Sequence, residues 1–194
     1  GPQDIALSYR LLGASWARVG SLYWDVTVSD GQVINDWTNT YAKGPVQALR
    51  AQGISIIGLV QGMPRALSSR PDNETPAYPG GPPIWLLVKP ADYTLWDQFI
   101  EKLAAEFREE IQTWELWNEP NAPIAFWYGT REEFVELVQH TSQALRRGNP
   151  NAKIACCAFA ITPEGYSWGA PEWLENSILP NARIDILSFH YTDD

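Results

Sequence analysis

The chain is poor in cysteine, in histidine and in positive charge. Among 194 residues there are two cysteines, two histidines, and 14 lysines and arginines against 23 aspartates and glutamates. The net charge of −9 leaves no basic patch or basic helix, so neither nucleic acid nor an anionic membrane surface is an expected partner. Cys156 and Cys157 are adjacent, and no spacing of Cys or His suits a metal ion. No metal and no cofactor is expected. Successive side chains of a strand point to opposite faces, so the two cysteines are expected to stay unbonded to each other, as small buried apolar residues. No hydrophobic run approaches the length of a membrane span. No signal-peptide pattern opens the sequence, and Gly1-Pro2 reads as the scar of an expression tag. The compartment, secreted or cytoplasmic, therefore stays open. Nothing repeats and no linker divides the chain, which reads as one domain over 1–194.

Aromatic residues are plentiful, with ten Trp and eight Tyr. Sugar faces stack on such rings, and an open cleft needs such platforms. The same rings also fill cores, and about half are assigned to that use. Apolar content of 45% and charged content of 19% are ordinary for a globular protein.

Helices and strands alternate along the chain. A helix over 3–13 ends at Gly13, a C′ glycine. A strand over 15–20 follows. Residues 23–37 form a loop with one strand-like piece, Val26-Thr27-Val28, and a turn at Ser29-Asp30-Gly31. A helix over 41–52 closes at Gly53. The apolar run 54–60 suits a parallel strand buried on both faces. A proline-rich irregular segment covers 65–89, and loops of that length are usually functional. It contains the sequon Asn73-Glu74-Thr75, which the following Pro76 weakens. The helix over 90–110 carries Tyr93, Trp96, Phe99, Ile100, Leu103 and Phe107 at helical spacing, for packing rather than binding. A helix over 131–147, a strand over 153–159, a short helix near 171–178 and a strand over 184–189 complete the series. His190-Tyr191 ends that last strand. His140 is placed on a helix surface.

The chain is organised around Trp114-Glu115-Leu116-Trp117-Asn118-Glu119-Pro120-Asn121. Aromatic and apolar residues run up to Trp117. Pro120 stops the ladder because it has no N–H to donate. The next helix starts at Thr130-Arg131-Glu132-Glu133, a capping box. Asn118 and Glu119 thus stand where a strand hands over to a loop, the rim on which parallel α/β folds gather catalytic groups. Read blandly, Glu119 is a surface carboxylate flanking a helix.

Asn118-Glu119-Pro120-Asn121, with Phe126-Trp127-Tyr128-Gly129 behind it, resembles the acid/base signature of clan A glycoside hydrolases. Within the clan it is most similar to the family 39 type of β-xylosidases and α-L-iduronidases. The resemblance runs along nearly the whole chain and implies a (β/α)8 barrel. The five strands are assigned to positions two to six of the eight, so the fold is expected to be an incomplete TIM-type barrel of about five parallel strands. A whole barrel typically takes about 250 residues.

The resemblance also implies the chemistry. Retaining glycosidases use two carboxyl groups about 5–5.5 Å apart, one an acid/base and one a nucleophile. Glu119 matches the acid/base, and its place beside Trp117 suits a group that must carry a proton near neutrality. Asn118 inherits the contact to the sugar 2-hydroxyl. The nucleophile belongs to the seventh strand, which is not visible here, and Asp193 and Asp194 do not match its position. His190 and Tyr191 line the sugar site by the same resemblance, and Trp24 and Trp127 are expected as stacking rings. Arg18 on the second-strand segment is expected to pair with Glu115 as a buried ion pair, and in relatives such an arginine supports the nucleophile. Relatives carry an aromatic soon after Met63-Pro64, whereas Arg65-Ala66-Leu67 follows here, which leaves substrate choice open.

The expected activity is retaining hydrolysis of O-glycosyl bonds on a glycoside or oligosaccharide. The nucleophile would come from outside this sequence. The rival reading is a non-catalytic sugar-binding or self-assembling barrel fragment, joined to a second copy or a complementing chain through its open edges.

Overall fold

The first two helices end where glycine supplies a left-handed backbone. Helix α1 (Pro2–Leu11) is followed by Gly13 at φ 75°, and α2 (Lys43–Ala51) by Gly53 at φ 77°. The computed structural model describes residues 1–20, 26–35, 43–122, 126–161 and 169–191. The strands are β1 (Trp16–Val19), β2 (Val26–Ser29), β3 (Gln32–Asn35), β4 (Ser55–Val60), β5 (Thr113–Leu116), β6 (Lys153–Ile161) and β7 (Ile186–Tyr191). Between them lie α3 (Tyr93–Glu106), α4 (Arg131–Gly148) and the short α5 (Ala170–Trp173).

Five strands form one parallel sheet in the order β1-β4-β5-β6-β7. Each is preceded by a helix, and the sheet curls into a half-barrel, as an incomplete (β/α)8 fold requires. The segment read as one strand-like piece is a hairpin. β2 pairs antiparallel with β3 through Asp30 at φ 50° and Gly31 at φ 70°, the two left-handed residues of a tight two-residue turn. Sequence pattern missed β3 because Gln32-Val33-Ile34-Asn35 is too short to show alternation.

The core lies between the sheet and α3 and α4. Trp96, Phe99, Ile100, Leu103 and Phe107 are buried, as their helical spacing required, while Tyr93 is half-buried. The capping box forms as read. Thr130 Oγ1 accepts from the Glu133 N–H at 3.2 Å, and Glu133 accepts from the Thr130 N–H at 3.0 Å. Gly58 of β4 stands opposite Trp114 of β5, and any Cβ there would meet the indole at 2.8 Å. Only glycine lets that ring lie across the strand.

Two expectations are corrected. Cys156 and Cys157 are fully buried but bonded to each other. Side-chain alternation presumes a regular ladder, and the pairing of β6 with β7 shifts register between Cys156 and Phe159. His140 is half-buried rather than a surface residue. It stacks on Tyr93 at 4.2 Å between ring centres, and its Nδ1 lies 3.1 Å from Asp97.

Candidate active site

The stretch after β5 does not continue as a strand. Trp117 has φ 66° and Glu119 φ 45°, and Ala158 on the neighbouring β6 has φ 49°. A non-glycine residue held there costs on the order of 1–3 kcal/mol, so three together need firm support. The turn at Trp117 also breaks strand parity. Leu116 and Trp117 both face the helix layer around Phe134 and Val138. Asn118 comes round to the side occupied by Glu115, because both touch Arg18.

Arg18 is the hub of the inner side. Its Nε pairs with Glu115 in a short ion pair, and a terminal nitrogen donates to Asn118 Oδ1 at 2.9 Å. The expected Arg18–Glu115 pair is therefore present. Glu115 is 6% exposed and needs that cation, since a buried charge must be matched. An arginine only donates, so Asn118 must turn its oxygen toward Arg18 and its NH2 the other way. That NH2 makes no hydrogen bond among the described residues.

Glu119 is held from the other side. Its Oε1 lies 2.5 Å from His190 Nδ1, so the strand-end histidine and the loop carboxyl share one hydrogen bond. The Glu119 N–H donates to the Ala158 carbonyl at 3.1 Å, and the Ala158 N–H donates to Ser188 Oγ at 2.8 Å. The irregular turn of β6 thus ties Glu119 to β7. Asn121, 7% exposed, exchanges two hydrogen bonds with the backbone of Ala160, each 3.1 Å. Ala160 in turn stands opposite His190 in the β6–β7 ladder. Neither Ala158 nor Ser188 was singled out by sequence pattern. Asn121 was seen only as part of the motif.

Asp185 anchors β7 at its start. Its Oδ2 accepts from the Ile154 N–H at 2.9 Å and from Arg146 at 2.7 Å. Burial alone would raise its pKa, but the Ile154 N–H and the Arg146 and Arg183 cations outweigh that and hold it below the usual carboxylate range.

The aromatic residues divide differently from expectation. Trp127, expected as a stacking ring, is 5% exposed. Its edge meets Trp117 at 5.4 Å and Phe134 at 5.3 Å, and its indole N–H donates to the Thr130 carbonyl at 2.9 Å. The ring fills the space behind the Glu119 turn and offers no face to a sugar. Its neighbour Tyr128 is 42% exposed and Tyr191 is 66% exposed. Trp24, Glu164, Asp193 and Asp194 lie outside the described residues. Arg65 does not point to a sugar either. It staples its own loop, with its guanidinium 2.7 Å from Glu74 and 5.9 Å from the Trp85 ring centre. Among the described residues no three His, Cys, Asp or Glu side chains converge as metal ligands.

Comparison with known proteins gives one consistent result. The sequence profile of glycosyl hydrolases family 39 matches residues 63–194. A beta-xylosidase of Caldicellulosiruptor saccharolyticus is 31% identical over 111 residues, which cover 54% of this chain and 22% of that protein. A beta-xylosidase of Geobacillus stearothermophilus is 27% identical over 161 residues, 79% of this chain and 29% of that one. The crystal structure of a GH39 enzyme from Xanthomonas axonopodis pv. citri superposes with a TM-score of 0.73 at 22% identity, over 97% of this chain and 37% of that one. A monomeric beta-xylosidase from Caulobacter crescentus gives 0.72 at 23% identity, over 97% and 38%. The matched region thus spans less than a third of the curated relatives.

Proposed function

The chain belongs to glycosyl hydrolases family 39, and from that premise we propose that it carries the acid/base half of a retaining glycosidase site. Glu119 is the acid/base. It protonates the glycosidic oxygen as the leaving group departs, while a carboxylate from outside this sequence attacks the anomeric carbon. It then takes a proton from the water that releases the sugar. Asn118 binds the sugar 2-hydroxyl. Its NH2 is aimed away from Arg18 and makes no hydrogen bond among the described residues, which suits that contact, and the contact strengthens as the oxocarbenium-like transition state forms. Tyr191 and Tyr128 are the exposed rings available to a sugar face. The relatives named beta-xylosidase make a β-xyloside the first substrate to try.

The observation that carries this reading is the shared hydrogen bond between Glu119 and His190, beside an asparagine whose amide direction is fixed. That bond holds the carboxyl in one place at the strand-to-loop rim. The test uses the full-length protein and its Glu119→Gln variant on a series of aryl β-xylosides. The loss in kcat/KM is expected to reach about 10²–10⁴-fold with poor leaving groups and to shrink with dinitrophenol, which departs unprotonated. A loss independent of the leaving group means that Glu119 is not the acid.

The sheet edges favour a second element of the proposal. Trp16 on β1, and Ile186, Leu187 and Phe189 on β7, are 39–54% exposed. Among the described residues neither edge strand of the half-barrel has a partner on its outer side. We propose that the remaining strands of the protein, or a second copy of this chain, cover them. Sedimentation of the isolated chain tests this, with self-association expected and a strictly monomeric chain as the contrary result.

A further inference from the structure

The Glu119 turn has two independent fastenings to β6. One is the Glu119 N–H on Ala158. The other is the side chain of Asn121 on Ala160, made twice over, with Nδ2 donating to the carbonyl and Oδ1 accepting from the N–H. A primary amide has the same donor and acceptor arrangement as a peptide group, so Asn121 completes the strand edge as a backbone neighbour would. The register adds a third party. Ala160 is the ladder partner of His190, and His190 is the side chain that touches Glu119. One buried amide therefore links the loop that carries the carboxyl to the strand position that carries its partner.

We propose that Asn121 is a positioning residue for proton transfer. It holds the turn so that the Glu119 carboxyl stays on His190 and faces the glycosidic oxygen. The proposal rests on Glu119 being the acid. A left-handed Glu119 gains nothing from intrinsic preference, and without the clamp the turn relaxes toward ordinary backbone. The carboxyl then swings by an ångström or more, which proton transfer does not tolerate. Asn121 touches neither sugar nor reacting atoms in this scheme. Its removal should therefore look like a loss of acid catalysis rather than a loss of binding.

The experiment compares Asn121→Ala, Asn121→Asp and Glu119→Gln in the full-length protein, reading kcat/KM across the aryl β-xyloside series. Asn121→Ala is expected to lose about 10²-fold with poor leaving groups and only a few-fold with dinitrophenol, tracking Glu119→Gln at smaller amplitude. Asn121→Asp keeps the acceptor for the Ala160 N–H but sets an oxygen against the Ala160 carbonyl, so it should recover only about a few-fold. Where the alanine variant does not fold, the aspartate variant carries the same comparison with wild type. Equal losses across the series in the Asn121 variants, with a leaving-group dependence in Glu119→Gln, overturn the proposal and leave Glu119 as the acid. A flat response in Glu119→Gln removes the acid assignment and this proposal with it.

Discussion

The inner strands β5 and β6 and the outer strand β7 are written in much the same apolar vocabulary, yet they live in different surroundings. All four residues of β5 are buried, as are seven of the nine in β6. No residue of β7 is buried. Ile186-Leu187-Ser188-Phe189 has the pattern of a strand covered on both faces, and here it stands half in solvent. The difference teaches where each strand finds its cover. The inner strands find it in α3 and α4, and their polar groups are fixed as well, Glu115 and the following Asn118 by Arg18 of β1. The outer strand is held by its ladder to β6 and by a few polar ties, Asp185 at its start and Ser188 and His190 farther on, while its apolar side chains stay partly or largely exposed.

The sharpest way to break this comparison is to damage the helical cover of the inner strands. Phe134→Ala removes the ring that Trp117, Trp127 and Trp173 all touch. A loss of about 3–5 kcal/mol is expected, read as a lower urea midpoint at unchanged slope. Next in size is Arg18→Ala, which strands the buried Glu115 carboxylate. Arg18 itself is 34% exposed in its side chain, so the loss should fall near the low end for a broken buried pair, about 3 kcal/mol.

Asp185→Asn tests a polar tie between inner and outer strands, and about 1 kcal/mol is expected at neutral pH. Its folded pKa is depressed, so the carboxylate contributes stability above its unfolded value of about 3.9 and loses it as pH falls through the folded value. The gap between wild type and Asp185→Asn should therefore close in acid, as urea midpoints measured from neutral pH down to below about pH 3 would show. The smallest effect is expected at the edge. Phe189→Ser should change the stability of the isolated chain by no more than about 0.5 kcal/mol. Its effect should appear instead in sedimentation, as weaker self-association.

Much of the fold was legible because local signals agreed with the global one. Gly13 and Gly53 closed helices, the Thr130–Glu133 box opened one, and the alternation of helix and strand implied a parallel sheet. The Arg18–Glu115 pair was legible because a glutamate deep in an apolar strand needs a cation. Parity arguments failed where the backbone leaves the strand region. The register shift in β6 undoes the alternation at Cys156 and Cys157. Trp127 was misplaced for another reason. Its indole packs into a cluster assembled from the turn after β5, α4 and α5, and residues so far apart in sequence leave no local periodicity. Asn121 shows no pattern at all, since its partner is the backbone of Ala160 and a backbone partner has no sequence signature.

The central claim is that this chain holds the acid/base carboxyl of a glycosidase and leaves the nucleophile to residues outside it. The most direct measurement is hydrolysis by the purified 194-residue chain, assayed on aryl β-xyloside, β-glucoside, β-galactoside and α-L-arabinoside. The expected result is no turnover above buffer, because an acid alone supplies only about 10²–10⁴-fold and an opened cleft weakens even that. Turnover at the level of whole glycosidases, abolished by Glu119→Ala, would contradict it. A second working carboxylate would then lie inside this chain, with Asp193, Asp194 and Glu164 the first to be substituted.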